Sequence, residues 1–215
     1  PIKYRTKFGA QLQTTLDGTY LTLSFPAIDP APVEDADWLE EFKKAALGDN
    51  LTTDLVLDAQ LALNRYMILR LSDDADLGAV NPDHNKLLQI DFNGLGVIVL
   101  IITKKTNYEE DGTHFASRVF GPWLGVNEDP VTGSSSTGIY DKNHAHVLYL
   151  IINFFIVLAP YWSKVYLEQF SQKIDVLYAI QASARTGLVR NEMLDENRVL
   201  IGGQVKKFSS GTFSL

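Results

Sequence analysis

The run Gly96–Thr103 (GVIVLIIT) carries no polar residue before its last position. A strand of that kind has nothing to offer water on either face, so it needs a sheet covered on both sides. Gly94 precedes the run and Lys104-Lys105 follows it, which marks it as one central strand bounded by solvent. The alternating segments 3–8 and 10–16 and the run Tyr20–Phe25 (YLTLSF) read as further strands, with Asp17-Gly18 as a hairpin turn. Pro26, Pro30 and Pro32 stiffen a linker over 26–33. A helix is predicted over Glu34–Leu47. Asp35 or Asp37 would cap it, Trp38, Leu39, Phe42, Ala45 and Ala46 would form its apolar face, and Gly48 would stop it.

Leu51–Leu57, Tyr66–Leu71 and His114–Phe120 read as strands, and a short helix is expected around Pro82–Leu88. From Val176 onward several β segments are separated by turns at Thr186-Gly187, Asp195–Asn197 and Ser210-Gly211. The mixed order of elements predicts an α+β fold, with a sheet rich in antiparallel pairs around few helices.

A net charge of −7 argues against nucleic acid as a partner, because phosphate binding needs a basic surface. There is no cysteine, hence no disulfide, no thiolate metal site and no Cys nucleophile. A cytosolic address fits that composition. His144 and His146 would share one face of a strand, but no third ligand is nearby, so no metal site is expected. Asp73, Asp74 and Asp76 lack the Gly and terminal Glu of a Ca²⁺ loop and read as a solvated turn. His84 and His114 stand alone, and the three Trp residues lack interleaved basic residues and read as packing.

The chemistry is concentrated in Phe120–Ser135, FGPWLGVNEDPVTGSS. Glu128-Asp129-Pro130 ends an irregular segment, and Thr132-Gly133-Ser134-Ser135 has the look of a helix start. Free N–H groups there, with small residues and hydroxyls, form a place for an anion. A carboxylate substrate could dock on them while Asp129 reaches its reacting atom. The same residues are also ordinary caps and an ordinary Asp-Pro turn.

This segment resembles the E-D-P-x-T-G-S signature of phenazine-biosynthesis-like isomerases and epimerases, which share the fold of diaminopimelate epimerase. SFPAIDPAPV (24–33), LAPYWSKV (158–165), QASARTGLVR (181–190) and RVLIGGQV (198–205) resemble further parts of that family in the same order. The resemblance implies two similar lobes, each a sheet curled around a helix, and proton transfer on a small carboxylic acid without metal or organic cofactor. It gives Asp129 and Ser134 catalytic roles and makes Thr132, Gly133 and Ser135 substrate-binding. Residues 1–25 would be the last strands of the first lobe, 26–33 the inter-lobe linker and 34–215 the second lobe.

The family's acid/base Glu, in an N-S-E-T-like motif, and its G-H-A-T-like His have no counterpart here. The chain is therefore expected to be truncated at its N-terminus and inactive, with a non-catalytic binding protein as the alternative and a faulty gene product as the third reading. Homodimerisation is plausible from the family. Two departures stand out: Ser136 occupies a position that is His in many relatives, and Thr186 replaces the first Gly of an R-G-G turn.

An insert over 138–156 breaks the helix that in the family runs on from the signature. Its apolar part, Val147–Ala159, is 13 residues long, short of the roughly 20 that span a bilayer. The residues are rich in A/T-coded types, and a translated intron is the expected origin. Sequencing the mature transcript tests this, since the presence of those codons in the dominant message would end the idea.

Overall fold

The computed structural model describes residues 2–5, 11–130 and 155–204. Among the described residues, eleven strands form one sheet. In chain order they are β1 (Ile2–Arg5), β2 (Gln11–Asp17), β3 (Tyr20–Pro26), β4 (Ala31–Pro32), β5 (Val56–Ala62), β6 (Tyr66–Leu71), β7 (Val99–Lys105), β8 (Phe115–Phe120), β9 (Val176–Gln181), β10 (Gly187–Asp195) and β11 (Arg198–Gln204). Their spatial order is β1-β2-β3-β11-β10-β9-β8-β7-β6-β5-β4. Only β6–β7 and β8–β9 are parallel pairs; the others are antiparallel. The helices among the described residues are α1 (Leu39–Leu47), α2 (His84–Gln89), α3 (Tyr108–Asp111) and α4 (Phe155–Phe170). This is the α+β class read from the sequence.

The period-two side-chain alternation of the central strands serves two cores. Tyr66 and Ile68 of β6, Val99 and Ile101 of β7, and Phe115 and Val119 of β8 face α4 and pack on its Val157, Leu158, Tyr161, Trp162 and Val165. Leu177, Val189 and Val199 of β9–β11 and Phe25 of β3 complete that core. Met67, Leu69 and Leu71, with Leu100, Ile102, Ala116 and Phe120, point the other way and are covered by Phe42, Ala45, Ala46 and Leu47 of α1 and Leu87 of α2. β7 is buried on both faces through Thr103, as its unbroken apolar run requires.

Trp162 is the largest fully buried side chain; it stacks on Phe115 at 5.5 Å and donates from Nε1 to Thr103 Oγ1. Pro160 lies within α4 and removes one i→i−4 hydrogen bond.

Several boundaries differ from the sequence reading. The helix predicted to start at Glu34 begins at Leu39, after Trp38, with no side-chain cap; Asp35 instead adopts a left-handed φ of 52°. Backbone capping came from Ala36, whose carbonyl accepts the Leu39 N–H. The strand expected at Leu51–Leu57 is a 3-10 turn, Thr53–Leu55, followed by β5. Pro32, read as linker, closes the short edge strand β4, where a missing N–H is tolerated. The Asp17-Gly18 hairpin is present, with Gly18 at φ 58°. Gly48 does end α1. The turn at Ser210-Gly211, the helix start at Thr132–Ser135 and nearly all of the insert lie outside the described residues.

Candidate functional site

β8 ends at Phe120, and the chain turns back on itself at once. Gly121 and Val126 exchange two backbone hydrogen bonds, a 3-10 turn Pro122–Leu124 fills the gap, and Gly125 takes φ 74°. The returning segment 127–130 is held against β8 by Asp129 N–H donating to Val119 O at 2.9 Å.

The adjacent carboxylates Glu128 and Asp129 have different surroundings. Arg118, on the α1/α2 face of β8 with Ala116 and Phe120, grips Glu128 with two bonds of 2.8 Å from Nε and Nη2. Its Nη1 donates to the carbonyls of Leu77 and Val80. One guanidinium thus pins the returning segment to the turn before α2, in the fork geometry that makes Arg–carboxylate pairs strong.

Asp129 is buried, and Gln181 at the end of β9 holds it. Gln181 Nε2 donates to the Asp129 backbone carbonyl at 2.8 Å and to Oδ2 at 3.1 Å. Beyond Gln181, Ala182 N–H donates to Ser117 O at 2.7 Å, and Ser183 Oγ donates to the Pro130 carbonyl. The sequence segment QASA and the segment EDP, over fifty residues apart, are therefore one unit.

Gln181 also ends a polar row that sequence reading did not anticipate. Asp58 pairs with Arg70, Arg70 with Thr103, Thr103 with Ser117, and Ser117 with Gln181, each as direct cross-strand partners. Direct partners share a face, so five strands place a polar side chain at the same level. Their apolar neighbours at alternate positions, such as Ile68, Ile101 and Val119, face α4. Arg70 and Thr103 lie by Trp162, and Tyr161 Oη donates to the Asp58 carboxylate at 2.8–2.9 Å. Burial pushes the Asp58 carboxyl above the usual range, against the pull of Tyr161 and Arg70. Burial and the neighbouring Asp58 push the Tyr161 hydroxyl far up in turn. The missed signal was register: each polar residue looked isolated in its own strand.

Of the residues singled out in the sequence, the structure brings Asp129 together with Gln181 and Ser183. Thr132, Gly133, Ser134 and Ser135 lie outside the described residues, as do Ser136, His144 and His146. Thr186 is exposed in the turn before β10. Among the described residues no group of three or more His, Asp or Glu is placed to hold a metal ion, and no helix is long and apolar enough to cross a membrane. Asp76 caps a 3-10 turn by accepting from Gly78 N–H.

A sequence profile described as "Phenazine biosynthesis-like protein" matches residues 9–147, which takes in β2 through the whole Asp129 segment. The chain belongs to the phenazine biosynthesis-like family. It is 29% identical over 216 residues to a protein of Pseudomonas aeruginosa named as an uncharacterized isomerase, covering 100% of this chain and 64% of that protein. A phenazine biosynthesis-like domain-containing protein of Bos taurus is 29% identical over 202 residues, covering 92% and 59%. This family member thus spans about three fifths of the length of those relatives.

Among solved structures, a PhzF-family phenazine biosynthesis protein of Enterococcus faecalis aligns with a TM-score of 0.66 at 29% identity, over 100% of this chain and 65% of that one. A predicted epimerase of Pseudomonas aeruginosa, at 15% identity and TM-score 0.53 over 90% of this chain and 59% of that one, shares the fold.

Proposed function

We propose that this chain carries one half of a cofactor-independent isomerase or epimerase site, in which Asp129 handles or orients a proton on a small carboxylic acid. The observation that supports this reading most is the fixed Asp129 carboxyl: it is buried, tethered to β8 through its own N–H and gripped by Gln181. A carboxyl group in a defined orientation away from bulk water is what general acid–base work needs. The family signature continues directly into Thr132, Gly133, Ser134 and Ser135. By resemblance these supply the anion-binding N–H groups and hydroxyls, with Ser134 touching substrate. Relatives named as isomerases support the reaction class.

A proton moved between two positions needs a donor and an acceptor. The family's Glu and His motifs have no counterpart in these 215 residues, so in this reading they bind the acid without turning it over. Binding is tested by titrating small amino acids and aromatic acids into ¹⁵N-labelled protein. Saturable shifts of the Asp129 amide and the Gln181 side-chain amide, lost in Asp129→Asn, are expected. Shifts elsewhere only, or none, would remove the basis for this reading.

A further inference from the structure

A concavity lies on the α1/α2 side of the sheet, away from the Gln181 grip on Asp129. It is an open surface groove of about 420 Å³ between the edge strand β4, the end of β5, the lead-in to α1 and the turn at 92–95. That is within the usual range for small-molecule sites, roughly 300–1,000 Å³. Its floor is aromatic and aliphatic. Trp38 and Phe92 meet edge-to-face at 5.0 Å, backed by Phe42 and Trp123, and Leu61 and Leu95 flank them. These rings belong to the core around α1 and α2, whereas Asp129 is held by Gln181, whose row faces α4.

Its rim is polar and negative. Among the described residues lining it, Glu34 is the one charged side chain, joined by the amides of Asn64 and Asn93. Of the five non-glycine residues with left-handed φ among the described residues, Asp35, Leu63, Asn64 and Asn93 lie in or beside this rim. Three of the four are Asp or Asn, the L-residues that adopt this region most readily, so they mark turns along the rim. A small carboxylate, the ligand class proposed for the Asp129 site, would meet Glu34 with no compensating cation in the lining.

We infer that this groove is a separate binding site for an organic ammonium with an aromatic or branched apolar body. The apolar body would sit against Pro32, Val33, Leu61 and Leu95, touching the small exposed part of the otherwise buried Trp38 and Phe92, and the ammonium would pair with Glu34 while donating to the Asn64 and Asn93 side-chain oxygens. Such a site has no part in the proton-transfer reading and stands or falls independently of it.

The 215-residue chain contains three Trp residues, so ¹H–¹⁵N spectra give three indole signals, with the fully buried Trp162 as an internal reference for an intact fold. Phenethylammonium and phenylacetate, alike in shape and opposite in charge, are titrated to millimolar levels. Phenethylammonium is expected to shift the Trp38 indole signal saturably and leave Trp162 unmoved, while phenylacetate shifts neither. Glu34→Gln, an exposed position whose change spares the fold, should weaken phenethylammonium about three- to fivefold, the scale of an exposed charge pair. The proposal is overturned if Trp38 responds to neither probe, responds equally to both, or responds to the cation with unchanged affinity in Glu34→Gln.

Discussion

A Cβ at position 48 would lie 2.0 Å from the carbonyl oxygen of Asn81, and Gly48 has φ 75°. Two constraints therefore converge on one residue: the backbone conformation suits glycine alone, and the neighbour is main chain that cannot swing aside. Gly48→Ala should lower stability by at least roughly 3 kcal/mol, read as a drop in the urea midpoint. The sequence indicated a helix stop at Gly48, but not the close approach to Asn81.

His114 has a different constraint. Its Nδ1 accepts the Tyr178 N–H at 3.0 Å, and its ring stacks on Tyr108 at 4.2 Å. Burial holds its pKa below the ordinary imidazole value. The folded state therefore binds the proton less tightly than the unfolded chain. Stability is full above the unfolded value of about 6.5 and declines as pH falls through it, levelling below the folded pKa. Thermal unfolding between about pH 8 and about pH 5.5 should show the chain losing its advantage over His114→Gln as pH falls. A constant gap would mean that the Nδ1 acceptor does not matter.

At the level of elements, the returning segment after β8 depends on Arg118. The guanidinium ties Glu128 and the carbonyls of Leu77 and Val80 into one joint, and Glu128 is next to Asp129. Glu128→Gln leaves a part-buried cation with a weaker partner and should cost about 2 kcal/mol. It should also weaken carboxylate binding at Asp129 without touching the ligand, which the same NMR titration reads. An unchanged affinity would mean that the Gln181 contacts suffice to place Asp129.

The Glu-Asp-Pro motif stood out in the sequence because its residue types and order are distinctive. The different surroundings of Glu128 and Asp129 did not, because they depend on Arg118, ten residues upstream of Glu128, and on Gln181, about fifty downstream. β6 and β7 were placed within a few residues, since burial on both faces leaves mostly apolar runs, broken in β6 by Arg70. The start of α1 was misplaced because Asp35 and Asp37 look like caps, whereas the chain there bends through a left-handed residue before the helix begins.

Across the whole molecule, α4 is the post around which the sheet curls, and Trp162 is its anchor. Trp162→Ala would remove the stack on Phe115 and the bond to Thr103 and leave Arg70 beside a void, at a cost of about 3–5 kcal/mol, measured by denaturant unfolding. The row Asp58–Arg70–Thr103–Ser117–Gln181 then links the region under α4 to the Asp129 grip through a single register.

In the proposed function this chain holds the Asp129 side of a proton-transfer site without the acid/base Glu that the family resemblance calls for. The most direct test is solvent-deuterium incorporation. The purified 215-residue chain is incubated in D₂O with small amino acids and aromatic dihydro-acids, and label at carbon is followed by NMR and mass spectrometry. No incorporation above the uncatalysed rate is expected, for the chain or for Asp129→Asn. Incorporation by the chain that disappears in Asp129→Asn would contradict the claim, because it would mean that these residues already contain both proton-handling groups.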